Sequence, residues 1–212
     1  MEIKLVEKFV KEELINDCTG HDFMHVQRVA NMAFKLKNQL GTGDSEVIIL
    51  SAYLHDIIDD KVVKNTEKAK KLLIKKLKFW NIPTAKQDQI FDIIEHISFS
   101  KNLKEKYTLP IEGQIVQDAD RLDAIGAIGI ARAFYYGGYA GNPIYDDNFI
   151  IRKNLTEDDY RNKNTVINHF YEKLLKLESL MNTDVAKLIA RRRTFFMKQF
   201  LDEFFKEWKV NE

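Results

Sequence analysis

The sequence predicts an all-α fold, and three observations carry that expectation. Helix breakers are scarce, with 3 Pro and 9 Gly in 212 residues. Apolar residues recur at intervals of three and four along most of the chain, the period of a helix with one buried face. No stretch reads convincingly as a strand.

Residues 3 to 16 form a first amphipathic helix through Ile3, Val6, Phe9, Val10 and Leu14. A second runs from about Phe23 to Leu40 and stops at Gly41, a residue suited to the left-handed cap position. Asp44 or Ser45 starts a third, which carries SAYLHDIIDDK at its C-terminal end, and a lysine-rich helix follows from about Thr66 to Trp80. Pro83 opens the helix TAKQDQIFDIIEHISF. The polar segment SKNLKEKYTLP then leads into IEGQIVQDADRLDAIGAIGIARAFYYGG, the most apolar helix of the chain. Residues 137 to 160 lose helical periodicity and read as a long loop, either a mobile lid or a surface connector. Two closing helices, about 161 to 181 and 184 to 208, bury Phe170, Leu174 and Leu177 in one case and Phe196, Phe200 and Phe204 in the other.

Hydrophobic residues make up 45% of the chain, enough for the core of one domain spanning 1–212. Lys and Arg total 33 against 32 Asp and Glu, so the net charge of +1 creates no global field for nucleic acid or anionic membrane. Cys18 is the single cysteine and forms no internal disulfide. The N-terminal MEIKLVEKFVKEEL is charged throughout, unlike a signal peptide, and no apolar run approaches the roughly 18 residues of a membrane span. A cytoplasmic protein is expected. The lysines of the fourth helix are expected to form its solvated face.

Two apolar helices are interrupted by charge. Around Asp118, Asp120 and Asp123, the residues Ala119, Leu122, Ile125, Ile128 and Ala131 leave little surface for water. Taken as one helix, Ala124, Ala127 and Ala131 share the face of Asp120, so that carboxylate is expected to be buried. A buried carboxylate is destabilising by several kcal/mol unless paired, and a bound cation is a suitable partner. His25 lies among Phe23, Met24 and Val26, and His55 and Asp56 interrupt the third helix. Two imidazoles and two carboxylates suit manganese, iron, cobalt, nickel or magnesium, and zinc less well if six positions are filled. Adjacent His55 and Asp56 diverge by about 100° on a helix, so a shared ion must sit off the helix end.

These residues resemble the H, HD, D signature of the HD-domain metal-dependent phosphohydrolases, through HDFMHVQRV, LHDIIDDK and QDADRLDAIGAIG. The likeness spans about residues 20 to 135. It implies an all-helical HD bundle, here with additional C-terminal helices, holding one divalent metal by His25, His55, Asp56 and Asp120. Asp118 is the alternative to Asp120. In nucleotide-cleaving members an acidic residue three positions after the HD aspartate works on the attacking water. Asp59 occupies that place, with Asp60 beside it, and a divalent cation makes such a water more acidic.

Further candidates surround this set. Arg28, Lys61, His96 and Arg121 are candidate phosphate contacts, each with a structural alternative: solvation for Arg28 and Lys61, packing for His96, bracing of Asp118 or Asp123 for Arg121. Tyr139 and Asn142 are candidate nucleotide contacts from the loop edge. His21 and Asp22 either orient His25 or cap the second helix. The resemblance implies a small phosphorylated substrate, most plainly a nucleoside triphosphate cleaved to monophosphate and pyrophosphate. A nucleoside 5'-monophosphatase, a guanosine alarmone hydrolase and a non-catalytic metal- and nucleotide-binding sensor are the alternatives. Oligomeric state stays open.

Overall fold

The computed structural model describes residues 2–59, 62–63, 65–104, 107–153, 155–156 and 162–210, with the side chain of residue 104 left aside. The chain is all-α, and no strand occurs among the described residues. The helices are α1 (Ile3–Glu13), α2 (Phe23–Leu40), α3 (Ser45–Leu54), α4 (Thr66–Phe79), α5 (Thr84–His96), α6 (Phe99–Lys104), α7 (Ile111–Asp123), α8 (Gly126–Ala140), α9 (Val166–Glu172) and α10 (Asp184–Trp208). A 3₁₀ helix, Leu174–Leu180, joins the last two. None of the described helices is long and apolar enough to cross a membrane.

Side-chain caps fix the boundaries that matter. Asp22 accepts the backbone N–H of His25 and starts α2, and Gly41 ends it in a left-handed conformation at φ 68°. Asp44 accepts from both Glu46 N and Val47 N to start α3. α2, α3 and α7 pack on one another, with α5 behind α3 and α10 across α7 and α8. Where they meet, Leu36, Leu50, Leu54, Ile93, Ile115 and Leu122 are fully buried. Each such side chain contributes about 1.5–3 kcal/mol relative to exposure, so the helix ends bearing the polar residues stand on a close-packed base.

The structure corrects several sequence expectations. The apolar stretch 111–138 is two helices, because the chain turns extended at Ile125 and left-handed at Gly126, φ +81°, where only glycine is unstrained. Asp120 therefore does not share a continuous helical face with Ala127 and Ala131, and its side chain is 32% exposed. The segment read as a polar connector contains α6. In α10 the buried positions are Ala186, Ala190, Thr194, Met197 and Leu201, while Phe196 is exposed.

α8 also runs further than expected, to Ala140. After it, residues 141–153 are clasped onto α9. Val166 N donates to Pro143 O and Ile167 N to Ile144 O, at 2.9 and 3.1 Å. Asn168 Nδ2 holds Phe149 O at 2.9 Å. The backbone N–H and guanidinium of Arg152 converge on the buried carboxylate of Glu172. These contacts hold residues 143–152 against the chain; residues 154 and 157–160 of the expected loop lie outside the described residues.

Candidate metal centre

The loop-side ends of three helices meet at one point. His25 is in the first turn of α2, held there by the Asp22 cap. α3 stops at Leu54, and the chain tightens: Ile57 N donates to Leu54 O at 3.1 Å and Asp59 N to Asp56 O at 3.2 Å. In these turns the His55 and Asp56 side chains converge, with Nε2 3.3 Å from Oδ1, rather than diverging as on a continued helix. Asp120 comes from the last turn of α7.

His25 Nε2 lies 3.4 Å from Asp56 Oδ2 and 3.6 Å from Asp120 Oδ1, and His55 Nε2 lies 3.8 Å from the same Asp120 oxygen. These separations are long for hydrogen bonds. They suit donors around one cation, since metal–donor distances of about 2.1 Å place neighbouring donors about 3.0 Å apart in an octahedron and about 3.4 Å in a tetrahedron. His25, His55 and Asp56 are all buried, with ligand atoms within 4.8 Å of one another. His25 Nε2, His55 Nε2 and Asp56 Oδ2 are buried without a hydrogen-bond partner. Buried polar atoms are almost always satisfied, so a divalent cation fits this donor set.

Both imidazoles are locked to offer Nε2. His55 Nδ1 lies 2.9 Å from the carbonyl of Ala52, which can only accept, so Nδ1 carries the proton. His25 Nδ1 lies 2.7 Å from Asp123 Oδ2. Asp123 is itself clamped by Arg28, through Nε at 2.8 Å and Nη2 at 3.0 Å, and by Arg132 at 3.0 Å. Arg132 also ties the loop before α2 down through Gly20 O. Such hydrogen bonds orient a ligating ring and raise its basicity.

The electrostatics favour a cation. Burial pushes the His25 pKa down, but the Asp123 and Asp56 carboxylates outweigh it and raise the value from 6.5 to about 9. Burial opposes the charge on Asp56 too, yet His55, His21 and His25 hold its carboxyl well below the usual range. For Asp123, His25 and the Arg28 clamp overcome burial and likewise hold the carboxyl low. Two buried carboxylates are thus ionised around nitrogen donors.

The two aspartates of DAD have different surroundings. Asp118 is fully buried and accepts from Asn182 N and Nδ2 and from Thr183 N and Oγ1, all at 2.8–2.9 Å. It fastens the N-terminus of α10, and burial pushes its pKa up against the Asn182 and Thr183 hydrogen bonds and the Arg121 charge. Asp120 is the one that faces the histidines. Its exposure marks the open side of the centre.

The other candidate residues have the following surroundings. Arg28 spends two of its guanidinium nitrogens on Asp123. Arg121 is buried and donates to Leu180 O, a structural contact. His96 bonds Asp92 O through Nδ1 and stacks on Tyr107 at 3.8 Å. Tyr139 is exposed, and the backbone N–H of Asn142 bonds Gly137 O at the end of α8. About 20 Å of helix separates that end from the start of α8 near Asp123. Asp59 is half-buried on the turn tied to Asp56. Asp60 and Lys61 lie outside the described residues.

Sequence reasoning missed the roles of Asp123 and Arg132. The signal for Asp123 was its position three residues after Asp120, on the same face of α7. Arg132 left no signal. Asp22 proves to be the cap, while His21 sits edge-on to His25 at 5.8 Å, its Nδ1 sharing a 2.7 Å hydrogen bond with Thr19 Oγ1. Thr19 in turn donates to Asp17 at 2.6 Å.

Histidines from α2 and the α3 turn, the aspartate beside the second, and an aspartate at the end of α7 define an HD domain. The profile of that family matches residues 22–125, and the chain belongs to the family. YpgQ of Bacillus subtilis is 35% identical over 203 residues, covering 95% of this chain and 91% of that protein. A crystal structure from Lactobacillus plantarum superposes with a TM-score of 0.90 at 44% identity, covering 99% of both chains. YpgQ in complex with ADP gives 0.76 at 31% identity over 97% of each chain. An HD-superfamily hydrolase of Bacillus thuringiensis gives 0.75 at 39% identity over 98% of this chain and 97% of that one.

Proposed function

We propose that this chain is a single-domain, metal-dependent phosphohydrolase that cleaves a nucleoside triphosphate to monophosphate and pyrophosphate. The observation that carries the reading is the convergence of His25 Nε2, His55 Nε2 and Asp56 Oδ2, all buried and unsatisfied, beside the half-open carboxylate of Asp120. A divalent cation held there would stabilise charge on a phosphoryl oxygen and make a water more acidic. Manganese is one of several ions this donor set suits. The ADP complex of the relative YpgQ supports a nucleotide as substrate class.

The chain's own residues then take separate tasks. His25, oriented by Asp123, and His55, oriented by the Ala52 carbonyl, hold the site rigid. Asp120 leaves the open side for substrate. Asp59, three residues beyond Asp56, is the proposed general base that receives the proton of the attacking water. Asp60, next in sequence, is proposed as a second catalytic carboxylate and Lys61 as a phosphate contact.

The test is turnover by the purified protein, stripped of metal and re-supplied with single divalent ions, on nucleoside tri-, di- and monophosphates. Pyrophosphate release from a triphosphate, dependent on added ion, is expected. Preferred turnover of a monophosphate would replace the reaction, and metal-dependent nucleotide binding without turnover would favour the sensor.

A further inference from the structure

A cavity of about 280 Å³ opens beside Asp123, and its walls include none of the four donors of the metal centre. Met32, Ala119 and Ile128 form its apolar side; Arg28, Lys35 and Arg193 supply three cations. Asp123 is the single acidic residue of the lining, and it is already engaged by Arg28, Arg132 and His25. Arg193, half-buried, donates to the carbonyl of Leu122. Burial pushes the Arg193 pKa down, the nearby Asp123 carboxylate opposes that shift, and Arg192 adds to it. A half-buried guanidinium in a cavity that a second arginine and a lysine also line, where the one carboxylate is shared with Arg28 and Arg132, has the makings of an anion site.

We propose that this cavity binds a phosphate-class polyanion, separate from the metal centre. The two guanidinium groups and the Lys35 ammonium recognise the phosphoryl oxygens, and Met32 and Ile128 accept an apolar portion if the ligand has one. An anion there touches Arg28, whose fork holds Asp123, which holds His25. The site therefore lies one line of hydrogen bonds from a metal donor, without depending on which reaction the centre performs.

Calorimetric titration of inorganic pyrophosphate into the full-length protein, before and after chelation, provides the test. Saturable binding of one pyrophosphate per chain is expected to persist after chelation. It should weaken at least tenfold in Lys35→Glu, a change at an exposed residue, and in Arg193→Gln. The Asp120→Asn variant should keep it. Binding that disappears on chelation, or that is equally strong in both cation variants, would overturn the proposal, as would no binding by the chelated protein.

Discussion

Asp123 Oδ2 lies 2.7 Å from His25 Nδ1 in the buried interior, and this hydrogen bond turns Nε2 of the same ring toward Asp56 and Asp120. The carboxylate ligates nothing itself, yet it fixes the ring and shares its charge among His25, Arg28 and Arg132. Asp123→Asn keeps the shape and removes the charge. We expect metal affinity to fall about 10–100-fold, the usual effect of losing a carboxylate behind a ligating histidine. Metal titration against a competing chelator measures it; unchanged affinity would make Asp123 a purely structural residue.

The two aspartates of DAD should part company on mutation. Asp118→Ala strands the donors of Asn182 and Thr183 at the start of α10, so stability should fall by about 2–4 kcal/mol while bound metal stays the same. Asp120→Ala should lose metal with a smaller change in stability of the metal-free protein. Metal content and denaturant unfolding on both variants check this, and the reverse pattern would exchange their roles.

The choice between these residues shows where the sequence stops informing. Interrupted apolar faces at His25, His55 and Asp56 are visible in one dimension, because a charged residue in such a run needs a partner. Which of Asp118 and Asp120 meets the ion depends on where α10 docks, and that contact joins residues 118 and 182–183. The expectation for Asp120 came from the family pattern, whereas the helical-face argument behind it assumed a helix running through Gly126. The helix break there is local and glycine-dependent; the convergence of Arg28 and Arg132 on Asp123 is tertiary and left no periodic trace.

Proton competition sets a pH dependence. The His25 pKa is raised from 6.5 to about 9 in the metal-free protein, so protonated His25 contributes stability that is fully present below about 6.5 and is lost as pH rises through about 9. A cation must displace that proton, and apparent metal affinity should therefore rise across the same window. Melting temperatures of the chelated protein from pH 6 to 10, with calorimetry in buffers of different ionisation enthalpy, read both effects. Metal binding without proton release near pH 7.5 would contradict the account.

Asp59→Asn should separate binding from chemistry. The amide retains the side-chain shape but accepts no proton, so kcat should fall by about two to four powers of ten while bound metal and KM change little. A raised KM with normal kcat would assign Asp59 to substrate binding.

The central claim is that His25, His55, Asp56 and Asp120 hold one divalent ion, and elemental analysis of wild type beside Asp56→Ala tests it most directly. Both proteins are purified, chelated, re-supplied with manganese and desalted. The account requires about one ion per chain in the wild type and none retained in Asp56→Ala, because Asp56 is the carboxylate that lies against both histidines. Equal metal content in the two proteins would contradict it.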